Sequence, residues 1–250
     1  MLGIIGGSGL THLPNLTIDE QRTVTTPFGD PSSPVTIGRL GGRQVAFVAR
    51  HGSGHTIPPH RINYRANLWA MRQSGVSEIA AVFAVGGIAR GLGPGSLIVP
   101  DQLIDYTHGR DHTFSDDIER PVLHVDFTHP YTVEVREALL AAAARAGLDD
   151  VVAHGVYAAV NGPRLETAAE IDRLERDGAT FVGMTGMPEA GLARELSLRY
   201  AGLALSVNFA AGRGDSAEQV ALADIPAVLG RSMKIVCTIL EHWVRGDEGP

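Results

Sequence analysis

The sequence predicts an α/β protein built around a mixed, largely parallel β-sheet, and three observations favour that class. Apolar runs of strand length recur along the chain, and several are apolar at consecutive positions, which is typical of strands covered on both faces. Segments with helical periodicity lie between these runs, as in proteins that alternate strands with helices. The chain has 250 residues, 44% of them hydrophobic, which suits one large α/β domain or two small ones, and no linker or repeat divides it.

Seven apolar runs are predicted strands and four segments are predicted helices. The predicted strands cover residues 2–5, 44–50, 79–85, 96–100, 151–160, 181–184 and 202–208. The predicted helices cover residues 61–74, 132–146, 166–177 and about 222–245. Gly75, Gly147 and Gly178 end the first three helices, and Pro226 lies in the first turn of the fourth, where proline is tolerated. Residues 105–130 are polar, rich in histidine and irregular, and a loop of that length is usually functional or a subunit contact.

Charge and composition exclude several classes of protein. The net charge is −7 with both signs scattered, so no basic stripe predicts a nucleic-acid partner. The single cysteine, Cys237, excludes an internal disulfide framework and suits a reducing compartment. The apolar N-terminal stretch is too short and too rich in glycine for a signal peptide or a membrane span. We therefore expect a cytoplasmic protein with neither a membrane nor a nucleic acid as partner.

The turn after the first strand, Gly6-Gly7-Ser8-Gly9, is a candidate anion site. A dinucleotide fingerprint needs a third glycine, which is missing from the residues after Gly9, and the Gly-Lys-Ser/Thr of a P-loop is absent as well. What remains is a turn with backbone N–H groups and the Ser8 hydroxyl, which suits an anion such as inorganic phosphate. A tight turn without any ligand explains the same residues equally well.

Other strand ends carry groups of similar chemistry. Arg50 and His51 end an apolar strand, and a guanidinium beside an imidazole suits a phosphate held by paired hydrogen bonds. Residues 84–95 form a loop rich in glycine and proline, and Thr185 supplies a hydroxyl after the strand at 181–184. Taken singly, an exposed arginine and a plain loop are equally good interpretations of these residues.

Histidine spacing does not indicate a metal site. His51 and His55 are four residues apart, as are His108 and His112, but each pair lies among glycines where no helix would align the two rings. No third ligand with zinc-like spacing accompanies either pair, and no G-x-S-x-G motif indicates a serine hydrolase. We therefore expect no metal and no cofactor.

Four motifs occur in one order along the chain and together carry a resemblance to a known family. They are GIIGGSGL at 3–10, ARHG at 49–52 with NYRANLWAM at 63–71, NGPRLET at 161–167, and GMTGMPEAGLARE at 183–195 with SVNFAAG at 206–212. In this combination the chain resembles the trimeric purine nucleoside phosphorylases over nearly its whole length. Within that family it is most similar to the methylthioadenosine phosphorylase branch, and there to the bacterial enzymes that act on methylthioinosine.

The resemblance implies a fold, an assembly and a set of site residues. It implies a single α/β domain over residues 1–250, with a twisted, mixed, partly barrel-like sheet flanked by helices, assembled as a homotrimer; pairing of trimers into hexamers stays open. It implies inorganic phosphate as co-substrate, bound by Ser8, Arg50, His51, the backbone of Ala84 and Thr185, with His51 orienting the anion. It implies that the nucleoside lies against Met184, Leu165, Glu166, Asn208, Phe209 and Ala210, and that the partner subunit's His124 reaches the 5′ pocket. Phe83 departs from the threonine of adenosine-type relatives, and Leu165 replaces a phenylalanine that stacks on the base.

The base-contacting residues named by the resemblance predict which purine is bound. A 6-oxopurine presents N1–H as a donor and O6 as an acceptor, and a 6-aminopurine presents the reverse. Ionised Glu166 only accepts, so it matches the N1–H of hypoxanthine, whereas Asn208 has both a donor for O6 and an acceptor for a proton on N7. The methylthioadenosine enzymes instead carry a serine at 166 and aspartates at 208 and 210, and this chain has none of the three. An exposed helix-start residue is the alternative interpretation of Glu166.

The 5′ side of the sugar is predicted to meet an apolar wall. Ordinary purine nucleoside phosphorylases use a histidine for the 5′-hydroxyl, whereas the corresponding stretch, residues 220–225, offers Leu222. We therefore expect phosphorolysis of S-methyl-5′-thioinosine to hypoxanthine and 5-methylthioribose 1-phosphate, with Asn208 assisting departure of the purine. Phosphorolysis of 5′-methylthioadenosine and of 6-oxopurine nucleosides in general are the alternatives.

Overall fold

The computed structural model describes residues 1–116 and 121–246. Ten strands and five helices are found in this part of the chain. The strands are β1 (Leu2–Gly6), β2 (Thr17–Arg22), β3 (Val35–Leu40), β4 (Arg43–Ala49), β5 (Glu78–Gly87), β6 (Leu97–Ile98), β7 (Gln102–Asp105), β8 (Val156–Ala159), β9 (Phe181–Gly183) and β10 (Arg199–Phe209). The helices are α1 (Tyr64–Gln73), α2 (Val133–Arg145), α3 (Ala168–Arg176), α4 (Gly186–Glu195) and α5 (Ile225–Arg245).

All ten strands belong to one mixed sheet that branches at β5. The order along the main path is β2-β3-β4-β1-β5-β9-β8-β7, and β10 pairs with β5 on one side and β6 on the other. Strands β4, β1, β5 and β10 run parallel to one another, and so do β9, β8 and β7. The two groups meet at β5 and β9, which are antiparallel. The predicted α/β class with a mixed sheet is therefore confirmed.

Helices cover both faces of the sheet, as the consecutive apolar positions predicted. Neighbouring residues of one strand enter different cores: Ile5 and Phe83 pack in the core that contains residues of α1 and α4. Ile4 and Val82 pack in the core that contains residues of α2 and α5. A third, smaller core lies under α3. Because strand side chains alternate between faces, a buried strand with two covered faces must be apolar at every position.

Two of the five helices in the described ranges, α1 and α3, begin with side chains that bind the free backbone N–H groups. The Asn63 carboxamide oxygen accepts from the Ala66 N–H at 3.0 Å at the start of α1. Thr167 and Glu170 form a reciprocal capping box at the start of α3, each side chain bonded to the other's backbone N–H. No helix in the described ranges is long and apolar enough to cross a membrane.

The sheet brings the ends of β1, β4, β5 and β10 to one edge, because these four strands run parallel. The long pairing of β5 with β10 shifts register between Ser206 and Asn208, so Asn208 lies opposite Gly86. Such a bulge changes the direction in which the following side chains point, and it occurs here at the end of the strand.

Candidate active site

A cavity of about 210 Å³ lies at the edge where these strands end. Ten of the residues predicted for the site line it. They are Ser8, Arg50, His51, Ala84, Leu165, Glu166, Met184, Thr185, Asn208 and Ala210. Groups predicted for an anion and groups predicted for a purine therefore lie around one cavity, although they come from six separate segments of the sequence.

The glycine turn after β1 packs against the protein itself. A Cβ on Gly7 would lie 2.5 Å from the Val82 carbonyl oxygen and 3.0 Å from Arg50 Nη1, so a side chain there would displace backbone or the guanidinium. Glycine is thus required at position 7 because the backbone there lies close to β5 and to Arg50. Ser8 follows at the cavity wall, with its Oγ 3.5 Å from His55 Nε2.

Arg50 is fully buried, so the interpretation of an exposed arginine is wrong. Its guanidinium donates from Nε to Glu189 Oε2 at 2.6 Å and from Nη2 to Glu189 Oε1 at 2.8 Å, while Nη1 donates to the Val82 carbonyl at 2.8 Å. Three N–H groups of the guanidinium predicted to bind phosphate are therefore bonded to Glu189 and to the Val82 carbonyl. Two of the five guanidinium N–H groups, on Nη1 and Nη2, have no partner in these contacts.

Glu189 is the site residue that sequence reasoning missed. It is fully buried on α4 and also accepts from the Tyr200 hydroxyl at 2.7 Å. Burial alone would lower the pKa of Arg50, but the Glu189 carboxylate more than offsets that effect and raises the pKa above its ordinary value. The available signal was a lone acidic residue in the motif GMPEAG, in a segment otherwise apolar enough to be buried.

His51 is buried against the same arginine and is held in one tautomer. Its Nδ1 lies 2.8 Å from the Ile57 carbonyl oxygen, which only accepts, so Nδ1 carries the hydrogen. Burial, with Arg50 as the second cause, lowers the pKa of His51 to about 4. At neutral pH the ring is therefore uncharged, and its Nε2 has a free lone pair.

Thr185 lies directly before α4, between β9 and the helix that carries Glu189. Its side chain is buried at the cavity wall. The backbone N–H groups of Thr185 and Gly186 donate to the Tyr157 hydroxyl at 3.2 and 3.3 Å. Tyr157 thus satisfies these N–H groups at the helix start and also interacts with the Thr185 side chain, which lines the cavity.

Glu166 and Asn208, the two residues predicted to contact a purine, both line the cavity. Glu166 directly precedes the capping box of α3, and burial raises the pKa of its carboxyl above the ordinary value. The Asn208 side chain donates from Nδ2 to the Phe209 carbonyl at 2.6 Å. Since a carbonyl only accepts, this contact fixes the amide orientation and leaves Oδ1 and one N–H for other partners.

Three predicted residues do not line the cavity of the single chain. The Phe209 ring packs toward Gly93 and Gly214. Leu222 is 60% exposed in a short 3-10 turn, and the apolar wall consists instead of Val220, Ile225 and Leu229. His124 is exposed and lies outside the cavity, and its predicted role requires a neighbouring subunit.

Arg110 is a second residue that the sequence analysis did not single out. It is buried, and it donates from Nη1 to the carbonyls of Met184 and Met187 at 2.9 and 2.6 Å and from Nη2 to that of Asn161 at 2.9 Å. Arg110 thereby ties the segment with Met184 and Thr185 to the segment that leads to Glu166. It lies within residues 105–130, the stretch predicted to be a functional loop or a subunit contact.

Acidic, histidine and cysteine side chains do not gather into a metal site in the described ranges. No group of three or more of them is placed to hold a metal ion between residues 1 and 116 or 121 and 246. The ring of His51, which lines the cavity, lies tilted against that of His55 with ring centroids 4.5 Å apart.

Comparisons with known proteins give the family. Residues 1–245 match the model of the phosphorylase superfamily. A probable S-methyl-5′-thioinosine phosphorylase of Pseudomonas syringae pv. tomato is 52% identical over 240 residues, covering 94% of this chain and 95% of the relative. A 6-oxopurine nucleoside phosphorylase of Pyrococcus furiosus is 48% identical over 216 residues, covering 84% of this chain and 80% of the relative.

A solved structure agrees with these sequence relatives. The methylthioadenosine phosphorylase of Schistosoma mansoni in complex with adenine superposes with a TM-score of 0.92 at 34% identity, covering 98% of this chain and 90% of that structure. The resemblance drawn from the four motifs is thus confirmed over the length of the chain. The chain belongs to the phosphorylase superfamily and has the single-domain α/β fold of its nucleoside phosphorylases.

Proposed function

We propose that this enzyme catalyses the phosphorolysis of S-methyl-5′-thioinosine to hypoxanthine and 5-methylthioribose 1-phosphate. The observation that carries the proposal is the acceptor-only carboxylate of Glu166 in one cavity with Asn208 and the phosphate-binding candidates. Relatives about half identical to this chain, from Pseudomonas syringae pv. tomato and Xanthomonas campestris, bear the name of this activity.

Hydrogen-bond matching selects the purine. Glu166 accepts the N1–H of hypoxanthine, whereas adenine would turn a lone pair toward the carboxylate. Asn208 has an N–H for O6 and Oδ1 for a proton on N7, since its other N–H is held by the Phe209 carbonyl. A site built on such polar edges rejects the mismatched base by roughly 10⁴-fold, because a buried group would be left without a partner.

The apolar wall selects the 5′ substituent more weakly. Val220, Ile225 and Leu229 line the cavity and offer no hydrogen-bonding side chain. An apolar wall favours a methylthio group over a hydroxyl by about 1–3 kcal/mol. The preference over inosine is therefore expected to be smaller than the preference over methylthioadenosine.

The chemistry needs no covalent enzyme intermediate. The C1′–N9 bond breaks with its electron pair leaving on the purine, and a phosphate oxygen bonds to the cation-like C1′. The phosphate hydrogen that is lost and the hydrogen that hypoxanthine gains balance the reaction. Ser8, His51, Thr185, the free N–H groups of Arg50 and the backbone at Ala84 hold the phosphate, and Asn208 stabilises the charge that develops on the purine.

We further propose a cytoplasmic homotrimer in which the partner subunit's His124 completes the 5′ pocket. Val122 and Leu123, beside His124, are 68% and 51% exposed in the single chain. An apolar pair of that kind is typical of a surface covered by another subunit. Met184 would then contact the ribose and Leu165 the base, both from the same chain.

A base-pocket exchange tests the proposal. The double variant Glu166→Ser, Asn208→Asp is expected to raise the kcat/KM ratio of methylthioadenosine to methylthioinosine by about 100-fold or more. The matched control, Glu218→Ser with Asn15→Asp, makes the same two types of substitution at exposed positions and leaves the ratio unchanged. Purine release that proceeds equally without phosphate would contradict phosphorolysis, and an unchanged ratio in the double variant would contradict the base assignment.

A further inference from the structure

The carboxylate of Glu166 lies close to an arginine that is bonded to a different carboxylate. Arg164, Glu166 and Glu170 line a second cavity of about 390 Å³, and Glu166 lines the first cavity as well. The Arg164 guanidinium donates from Nη1 to Glu170 Oε2 at 2.8 Å and from Nη2 to Glu170 Oε1 at 2.7 Å. The ion pair of Arg164 is thus with Glu170, although Glu166 is nearer to it in the sequence.

Glu170 is held in place by the start of α3. Its Oε2 also accepts from the Thr167 N–H at 2.7 Å, because Glu170 is the third residue of the capping box. Hydrogen bonds from Arg164, followed by the bond from Thr167, lower the pKa of Glu170 to about 2. Glu170 is therefore charged well below neutral pH, and its place at the helix start fixes where the Arg164 guanidinium lies.

Glu166 is the alternative partner of that guanidinium. Its carboxyl is partly buried, and burial raises its pKa; the Glu170 charge raises it as well, whereas the Arg164 charge lowers it. A guanidinium binds a carboxylate through two parallel N–H···O bonds. If Arg164 paired with Glu166 in this way, it would occupy both oxygens that are proposed to accept from the purine.

The other charged or titratable side chains around the two cavities have different partners or no net charge. They are Tyr106, His108 and Arg173 in the second cavity and Arg50 and His51 in the first. Arg50 is bonded to Glu189. Arg173 lies over the Tyr106 ring and 3.7 Å from Asp177. Arg164 is therefore the cation whose choice of partner decides whether the Glu166 carboxylate stays free.

We infer that Glu170 is a positioning residue for the purine, whose carboxylate binds Arg164 and so keeps the guanidinium away from Glu166. The inference rests on the proposed function, in which Glu166 accepts the N1–H of the base, and adds to it a residue that affects purine binding from a distance. Glu170 lines the second cavity and not the first, so it acts through Arg164.

Steady-state kinetics of Glu170→Gln test the inference on the intact enzyme. A glutamine at this position still accepts from the Thr167 N–H, so the capping box is kept while the charge that binds Arg164 is lost. Arg164 is then expected to pair with Glu166. We expect KM for methylthioinosine to rise about tenfold and KM for phosphate to stay within about twofold of the parent value.

Removal of the arginine is expected to reverse that loss. In the double variant Arg164→Gln, Glu170→Gln no guanidinium is left to occupy Glu166. KM for methylthioinosine should therefore return to within about twofold of the parent value, because the effects of two residues that act as one unit are not additive. If Glu170 served only the helix start, the double variant would be as impaired as the single one.

The matched control is Glu175→Gln on the same helix. Glu175 is also paired with an arginine, Arg213, but Arg213 keeps a second carboxylate, Asp172, at 2.8 Å. Neither Glu175 nor Arg213 lines either cavity. The control is therefore expected to keep the parent KM for methylthioinosine.

Titration of the Glu166 carboxyl gives a readout that does not depend on catalysis. In protein labelled with ¹³C at the glutamate carboxyls, the Glu166 signal is assigned by its loss in Glu166→Gln, and NMR follows its pKa. The pKa is expected to fall in Glu170→Gln, because a negative charge is removed and Arg164 moves closer. In the double variant both charges are removed, and the pKa is expected to return toward the parent value.

The opposing results separate this inference from the proposed function. A parent KM for methylthioinosine in Glu170→Gln, or a double variant without recovery of KM and of the Glu166 pKa, would overturn the role of Glu170. An enzyme that shows the expected pattern of Glu166 pKa values but releases no purine from methylthioinosine would support that role in holding Arg164 and contradict the proposed function.

Discussion

Arg50 and Glu189 illustrate how a single buried pair organises this site. A guanidinium with no exposed surface requires a partner, and Glu189 supplies it through both oxygens while Tyr200 satisfies the carboxylate further. The pair leaves two N–H groups on Arg50, while burial, with the charge of Arg50 as the second cause, lowers the pKa of His51 and keeps its ring neutral. Glu189, which is not among the residues that line the cavity, thus sets which N–H groups of Arg50 are left for an anion.

Removal of the Glu189 charge is expected to destabilise the protein strongly. Glu189→Gln leaves the buried guanidinium without a counter-charge, which costs about 3–5 kcal/mol in the free energy of unfolding. Tyr200→Phe, which removes one hydrogen bond to the same carboxylate, is expected to cost about 1–2 kcal/mol. Urea unfolding measures both, with Glu20→Gln as an exposed control. An unfolding midpoint for Glu189→Gln equal to that of the control would show that the pair contributes nothing.

The raised pKa of Glu166 predicts that kcat/KM falls on the acid side of the pH profile. As the pH falls through that pKa, the carboxylate takes up a proton and no longer presents a charged acceptor to N1–H. We expect kcat/KM for methylthioinosine to fall about tenfold per pH unit below the pKa, beginning at a higher pH than for an ordinary glutamate. In Glu166→Gln this limb should disappear, and pH profiles of the two proteins check it. The same acid limb in both would assign it to another group.

At the scale of elements, the sequence predicted those strands and helices whose burial leaves a clear pattern. The strands covered on both faces, β1, β4, β5 and β10, were found because they are continuously apolar. β2 was missed because all six of its residues are exposed, so no apolar pattern marks it. β3 and β7 are short and less uniform, and α4 starts at a Gly-Met-Pro stretch with little helical character.

The predicted boundaries were less accurate where a strand pairs over only part of its apolar run. The strand expected at 96–100 is Leu97–Ile98, and the one expected at 151–160 is Val156–Ala159. Ten of the predicted site residues line one cavity, because they lie at strand ends or in the motifs that carry the resemblance. Leu222 was misplaced because apolar residues are frequent in this segment, and only the packing of α5 shows that Val220, Ile225 and Leu229 form the wall.

The capping box of α3 is expected to matter for purine binding. Thr167→Ala removes the bond to the Glu170 N–H, which costs about 1 kcal/mol and loosens the segment directly after Glu166. We expect KM for methylthioinosine to rise about threefold while KM for phosphate stays constant. Asn63→Ala removes the cap of α1, which lines no part of the cavity, and serves as the matched control. Equal effects of both variants on the nucleoside KM would contradict the connection between the capping box of α3 and purine binding.

At the scale of the whole molecule, the proposed function places the anion end of the cavity within one chain and takes part of its 5′ side from the partner subunit. The apolar wall comes from the residues before and within α5, and one side of it is exposed in the chain by itself. His124, Val122 and Leu123 lie on an exposed stretch before α2. An assembly that covers this stretch would bury its apolar residues and bring a histidine of the partner to the pocket.

The proposed trimer is expected to be required for full activity. Sedimentation velocity should give a mass three times the 26.5 kDa of one chain. Leu123→Asp with Val122→Asp places charges on the exposed apolar pair and is expected to yield a smaller species with kcat/KM reduced about tenfold or more. Ile18→Asp, at an exposed position of β2, is the control. A monomeric parent enzyme with full activity would contradict the assembly and the role of the partner subunit's His124.

A comparison of three nucleosides tests most directly whether the enzyme selects methylthioinosine. Purine release from methylthioinosine, inosine and methylthioadenosine is measured with and without phosphate, and the three kcat/KM values are compared. We expect phosphate-dependent release, with the highest kcat/KM for methylthioinosine. The value for inosine is expected to be lower by about fivefold to 150-fold, and that for methylthioadenosine by roughly 10⁴-fold. A preference for methylthioadenosine would contradict the assignment of Glu166 and Asn208 as the groups that select the purine.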